Sequence, residues 1–142
     1  MNTFWTHLFF HELAHLLVAS LFAIIVYSKT KSISRSAFVV LISLLIDVDH
    51  FYDYFAYNGL AFDLFDAISG NHFLVTGKAY VPLHAWEWLF VMGIFFWIRG
   101  WKSVFAILFF ALLAQLVVDS VTAESVSFYS ISIRALNGFA RP

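Results

Sequence analysis

The sequence predicts an all-α, polytopic membrane protein: a bundle of four transmembrane helices with a short interfacial helix in one loop. Three observations predict it. Hydrophobic residues make up 62% of the 142 residues and charged residues only 12%, against roughly 25% charged in an ordinary soluble domain. The apolar residues fall into four stretches, 3–27, 36–57, 81–98 and 103–122, each near the roughly 20 residues a helix needs to cross a bilayer. Short basic turns join the first stretch to the second and the third to the fourth. The whole chain, 1–142, reads as a single integral membrane domain.

The same composition excludes several classes. A chain this short has too much surface to hide so many apolar side chains in a soluble core. Net charge is −1 and no basic stripe appears, so nucleic acid is not expected as a partner. Disorder is excluded by the apolar excess. The absence of Cys removes disulfide frameworks, iron–sulfur clusters and thiolate zinc sites.

A signal peptide is the rival reading of the first stretch. Against it, the first 28 residues hold no Lys or Arg and carry His7, His11, Glu12 and His15. Lys29, Lys31 and Arg35 follow in the first turn. The loop 58–80 is longer and carries Gly59, Gly70 and Gly77 as breakers. Its piece 60–68 is expected to be the interfacial helix, with Asp63 and Asp66 facing water. Arg99-Gly100-Trp101-Lys102 joins the last two stretches. The tail 123–142 is Ser-rich and is expected to lie on the membrane surface. The two short turns hold five of the eight Lys and Arg, which places them in the cytoplasm and the long loop and both termini outside.

Ionisable side chains inside a span cost at least roughly 2.5 kcal/mol on insertion scales, so each is a functional candidate. Their depths coincide. At about 1.5 Å per residue from the basic turns, His15, Asp47, His84, Glu87, Gln115 and Asp119 all lie roughly 17–26 Å deep. All four helices therefore bring polar groups to one layer, where a bundle can aim them at one another. Spacing within each helix agrees. His7, His11 and His15 are four apart, as are Gln115 and Asp119, while Asp47 and His50, like His84 and Glu87, are three apart. Residues three or four apart share a helix face.

His plus carboxylate without Cys is a donor set for Zn²⁺ first, with Mn²⁺, Fe²⁺ or Mg²⁺ as other candidates, and for one or two ions. Clustered carboxylates repel unless a cation or proton neutralises them. A bound cation makes hydroxide available near neutral pH, and two would suit phosphoester cleavage. His11-Glu12-Leu13-Ala14-His15 has the form H-E-x-x-H, in which two His bind zinc and the Glu is a general base. The competing uses of such clusters are interhelical hydrogen bonding and a proton or ion pathway. His7 is expected at the membrane surface. His72, Asp63, Asp66 and Glu124 read as solvated, and the many Phe and Trp as lipid-facing.

Leu44-Leu45-Ile46-Asp47-Val48-Asp49-His50 resembles the L-L-P-D-I-D-H motif of the YdjM-like, inner-membrane-associated metal-dependent hydrolases. Those proteins also carry an early membrane His, a T-H-S motif opening a later helix and a final H-x-x-x-D. Here Pro82-Leu83-His84 stands at the second motif, and Gln115-Leu116-Val117-Val118-Asp119 at the third, followed by Thr122. Ile46 replaces the motif Pro, the H-R-G before T-H-S is missing and Gln115 replaces a His. The chain thus resembles a divergent member, and Glu87 offers a replacement ligand.

The leading expectation is a metal-dependent hydrolase embedded in a bacterial or archaeal inner membrane. Its site opens to the outer face, where membrane lipids and an amphipathic lipid or phosphoester substrate are its partners. The expected metal ligands are His11, His15, Asp47, Asp49, His50, His84 and Asp119. Glu12 or Glu87 is the expected catalytic base or a further ligand, and Asp53 orients a His from behind. An intramembrane zinc protease using H-E-x-x-H is the second expectation. A non-enzymatic metal- or proton-binding subunit or transporter is the third. Association into a homo-oligomer fits so small a unit.

Overall fold

The computed structural model describes residues 2–122 and 125–141. Glu124 and the His7 side chain, both assigned roles above, lie outside the described residues. Every described element is helical. Helix α1 runs Asn2–Thr30 and ends where Lys31 turns to φ 55°. Ser32 then caps α2, Ile33–Ile46, by accepting the Arg35 N–H.

The expected helix over 36–57 is broken in its middle. A 3₁₀ turn, Asp47–Asp49, separates α2 from α3, His50–Asn58. At about three residues per turn, side chains at i and i+3 eclipse, so Asp47 and His50 are brought to one side. The loop that follows holds two short helices in place of one over 60–68: α4, Leu64–Ser69, and α5, Asn71–Thr76. Gly70 at φ 66° and Gly77 at φ 62° end them in the left-handed conformation that glycine adopts without a Cβ penalty.

Helix α6 covers only Trp86–Arg99, because 81–85 is not helical. Helix α7, Val104–Thr122, is the packing centre, touching α1, α2 and α6. Ala106, Ala111 and Ala114 on α7 are fully buried, and such small residues let neighbouring backbones approach closely. The tail folds back rather than spreading outward. It forms α8, Ile131–Leu136, and the Trp86 indole donates to the Val126 carbonyl at 2.9 Å.

The apolar core sits toward one end, around Val26, Val39, Phe110 and Leu116. Trp101 stacks on Phe110 there, with ring centroids 5.5 Å apart. At the same end the Arg35 guanidinium donates to the Lys102 carbonyl at 2.7 Å, so the two basic turns meet. The polar cluster lies beyond the core. Among the described residues, two helical segments, Leu8–Thr30 and Val104–Thr122, are long and apolar enough to cross a membrane.

Candidate metal centre

Two groups of metal-ligand type meet above the core. In the first, α1 and α7 contribute His11, His15 and Asp119. One helical turn separates the two His, so their rings stand edge to face with Nε2 atoms 3.0 Å apart. The Asp119 Oδ1 lies 3.1 Å from His15 Nε2 and 3.6 Å from His11 Nε2. His15 and Asp119 are buried and His11 is half-buried.

The second group is Asp47, His50 and His84. Here the 3₁₀ turn and the segment before α6 come together. Asp47 Oδ1 is 3.0 Å from His84 Nε2 and 3.9 Å from His50 Nδ1. The His50 Nδ1 also lies 3.1 Å from the Asp47 backbone carbonyl. Gln115, fully buried, donates from Nε2 to Asp47 Oδ1 at 2.6 Å. Ser43 donates to the Gln115 carbonyl at 3.3 Å, which sets which way that amide faces.

Asp119 stands between the groups. Its Oδ1 faces His11 and His15, and its Oδ2 lies 3.4 Å from His84 Nε2. Among the described residues Asp119 Oδ2 is buried without a hydrogen-bond partner, a costly state for a carboxylate oxygen unless a cation or proton satisfies it. Donors about 2.0–2.1 Å from one tetrahedral zinc lie roughly 3.3 Å apart. The spacings within the first group, 3.0, 3.1 and 3.6 Å, fit that value. In each group the ligand atoms lie within 4.8 Å of one another, so both could hold a metal ion.

No family model, curated protein or solved structure matches the chain. The site is read from its own donors and surroundings.

Both groups border one cavity of about 890 Å³. Its wall is largely aromatic and aliphatic, with Phe10, Phe51, Phe73 and Phe128 among the lining residues. Glu12 also lines it and is exposed. Arg141 is the one Lys or Arg on that wall among the described residues.

Six of the seven expected ligands fall in the two groups. Asp49 does not. It is buried behind His84, accepting from His84 Nδ1 at 3.0 Å and from the Leu83 N–H at 2.7 Å. A carboxylate on the far nitrogen fixes a ring's tautomer and direction, and losing such a partner typically weakens metal binding by about 10–100-fold. Asp49→Asn is therefore expected to keep the ions at saturating metal and to lower affinity within that range, read by competitive chelator titration. Unchanged affinity would remove Asp49 from the site.

Glu87 is the larger departure. Its carboxylate faces the tail, accepting from Ser130 Oγ at 2.6 Å and from the Ile131 and Ser132 N–H groups at 3.1 Å. It caps α8 and is not brought to either group. Asp53 orients backbone rather than a His, taking the Tyr80 and Val81 N–H groups at 2.6 and 2.9 Å. His72, expected in solvent, is 2% exposed beside the Tyr54 ring. Burial pushes its imidazole below the ordinary pKa. Tyr129 was not anticipated. It lines the cavity with its ring 6.3 Å from that of His84, and burial raises its phenol above the usual range.

Proposed function

We propose that this chain is a four-helix membrane protein and a two-cation hydrolase of an amphipathic ester or phosphoester. The observation that carries the reading is Asp119, with one carboxylate oxygen toward each three-residue group. Two groups sharing a carboxylate suit two ions, and two ions suit phosphoester chemistry. Zn²⁺ is the first choice for a site of imidazole and carboxylate. The motif resemblance to YdjM-like hydrolases agrees with the same residues.

The membrane reading extends to all four stretches. Helix α2, the 3₁₀ turn and α3 together leave no non-helical residue between 33 and 58. The 14 residues of α6 cover only about 21 Å alone, and 81–85 carry the chain on toward the outer face. Lys and Arg in the two joined turns put that end in the cytoplasm. The cavity then opens at the depth of outer-leaflet headgroups.

A divalent cation here would supply Lewis acidity and a water of lowered pKa. His11, His15 and Asp119 would hold one ion, and Asp47, His50 and His84 the other. Asp49 keeps the His84 ring turned toward the centre. Glu12 is placed to accept a proton on its carboxylate at the cavity wall. The aromatic wall receives the apolar part of the substrate and limits water, and Arg141 offers a positive charge to an anionic group.

The test uses detergent-purified protein prepared without chelator. Plasma mass spectrometry is expected to find close to two ions per chain. Hydrolysis of phospholipid and model phosphodiesters is expected to stop on chelation and return with Zn²⁺ or Mn²⁺. One ion with cleavage of a membrane peptide would favour the H-E-x-x-H protease. A further reading follows from His84 lying within 3.4 Å of oxygens from Asp47, Asp49 and Asp119. An imidazolium there would donate to Asp47 and Asp49 and set its positive charge beside Asp119 without metal. No bound ion after metal is added back would decide for that proton-linked or structural role.

A further inference from the structure

We propose that Arg134, far along the tail, is a positioning residue that sets the place of His84. The consequence for metal affinity rests on the two-cation reading above; the geometry does not.

His84 is not on a helix. It sits in the segment 80–84 between the loop and α6, where no helical ladder fixes the backbone. Val81 in this segment has φ 31°, an unusual value for a β-branched residue. Such a conformation persists only where the surroundings over-determine it. Here they act on both sides. On the amide side, Asp53 takes the N–H groups of Tyr80 and Val81, and Asp49 takes that of Leu83. On the carbonyl side the Trp88 indole donates to Pro82 at 2.9 Å, and one further side chain takes three carbonyls. The Arg134 guanidinium donates to the carbonyls of Tyr80, of Val81 at 3.0 Å and of His84 at 2.9 Å.

His84 is thus gripped twice, at its own carbonyl by Arg134 and at its ring by Asp49. The residue type matters. A guanidinium is a rigid planar fork with five donors, while an ammonium is a point charge on a flexible stem. Only the fork reaches three carbonyls from one position. Arg134 is 1% exposed, so its charge is held inside the fold. Its neighbours show why it stays. Glu87, three residues after His84, caps α8 through Ser130, Ile131 and Ser132. The Phe128 ring lies 5.5 Å from the guanidinium carbon. The element that delivers Arg134 is therefore anchored on the helix that His84 precedes.

A charge-balancing role is the competitor, since Asp49 and Asp53 lie on the opposite side of the segment. Arg134→Lys separates the two, because it keeps the charge and loses the fork. The experiment uses the full chain in detergent micelles, stripped of metal with chelator. Carbethoxylation of His84 by diethyl pyrocarbonate is followed by peptide mass spectrometry. His15, equally buried but on α1, is the internal reference.

In Arg134→Gln and Arg134→Lys alike, local opening of the segment is expected to raise His84 modification by about tenfold or more, with His15 unchanged. Equal protection of His84 in the variants and the wild type would overturn the proposal. So would a rise in His15 matching that in His84, which reports general loosening. Protection retained in Arg134→Lys alone would assign charge balance instead. If Arg134→Gln does not fold, Arg134→Lys decides by the same two rates. Zn²⁺ titration of the same proteins is expected to show one ion weakened by about 10–100-fold and the other unaffected. A wild type that takes up no Zn²⁺ would end the metal reading while leaving the His84 rates to judge Arg134.

Discussion

Replacing Asp119 with asparagine is expected to empty both halves of the centre at once. Its two carboxylate oxygens face different groups, Oδ1 toward His11 and His15 and Oδ2 toward His84. The amide keeps the shape and loses the charge. It also replaces one oxygen with an NH₂ that cannot ligate. Changes behind a ligand already cost about 10–100-fold in affinity, so losing a shared ligand is expected to cost at least about 100-fold for each ion. Asp47→Asn, by contrast, should weaken one ion and spare the other. Bound metal per chain after gel filtration, measured beside the wild type, checks both. An Asp119→Asn protein that keeps one ion at wild-type affinity would show that the carboxylate serves a single group.

The second large effect is on stability. His84 is 1% exposed and lies within 3.4 Å of oxygens from three carboxylates. His84→Ala in metal-free protein leaves those carboxylates facing one another across a hole. Removing one partner from a buried charged set typically costs about 3–5 kcal/mol. The thermal midpoint in chelator is expected to drop accordingly. Because the partners form one network, His84→Ala with Asp49→Asn should cost less than the two singly summed. A wild-type midpoint for His84→Ala would mean that the carboxylates are neutralised some other way.

The convergence of these residues was legible because it depends on counting. Rise per residue from the basic turns puts His15, Asp47 and Asp119 at one depth whatever the side chains do. Glu87 was misplaced for a definite reason. The three-residue spacing from His84 implies a shared face only if both residues are helical. His84 precedes the Ala85 cap of α6, so Glu87 turns away and meets α8. Asp49 was similarly grouped with Asp47, but in the 3₁₀ turn the two carboxylates take different sides of His84. Arg134 left no readable signal, since its partners are backbone carbonyls, which every residue carries. His72 sits among Gly and Asn as a solvated residue would, and its burial comes from Tyr54 on a different helix.

The central place of α7 sets a timetable. The chain emerges from its N-terminus, so α1 and α2 are made long before the helix they both pack against. His11 and His15 then have no Asp119, and Asp47 has no Gln115, until about the last fifth of the described chain is synthesised. Nothing in the early helices alone can complete either three-residue group. Only the group that needs Asp119 must wait for α7, so a ribosome-arrested chain ending before α7 is expected to leave the His11–His15 site empty however much zinc surrounds it.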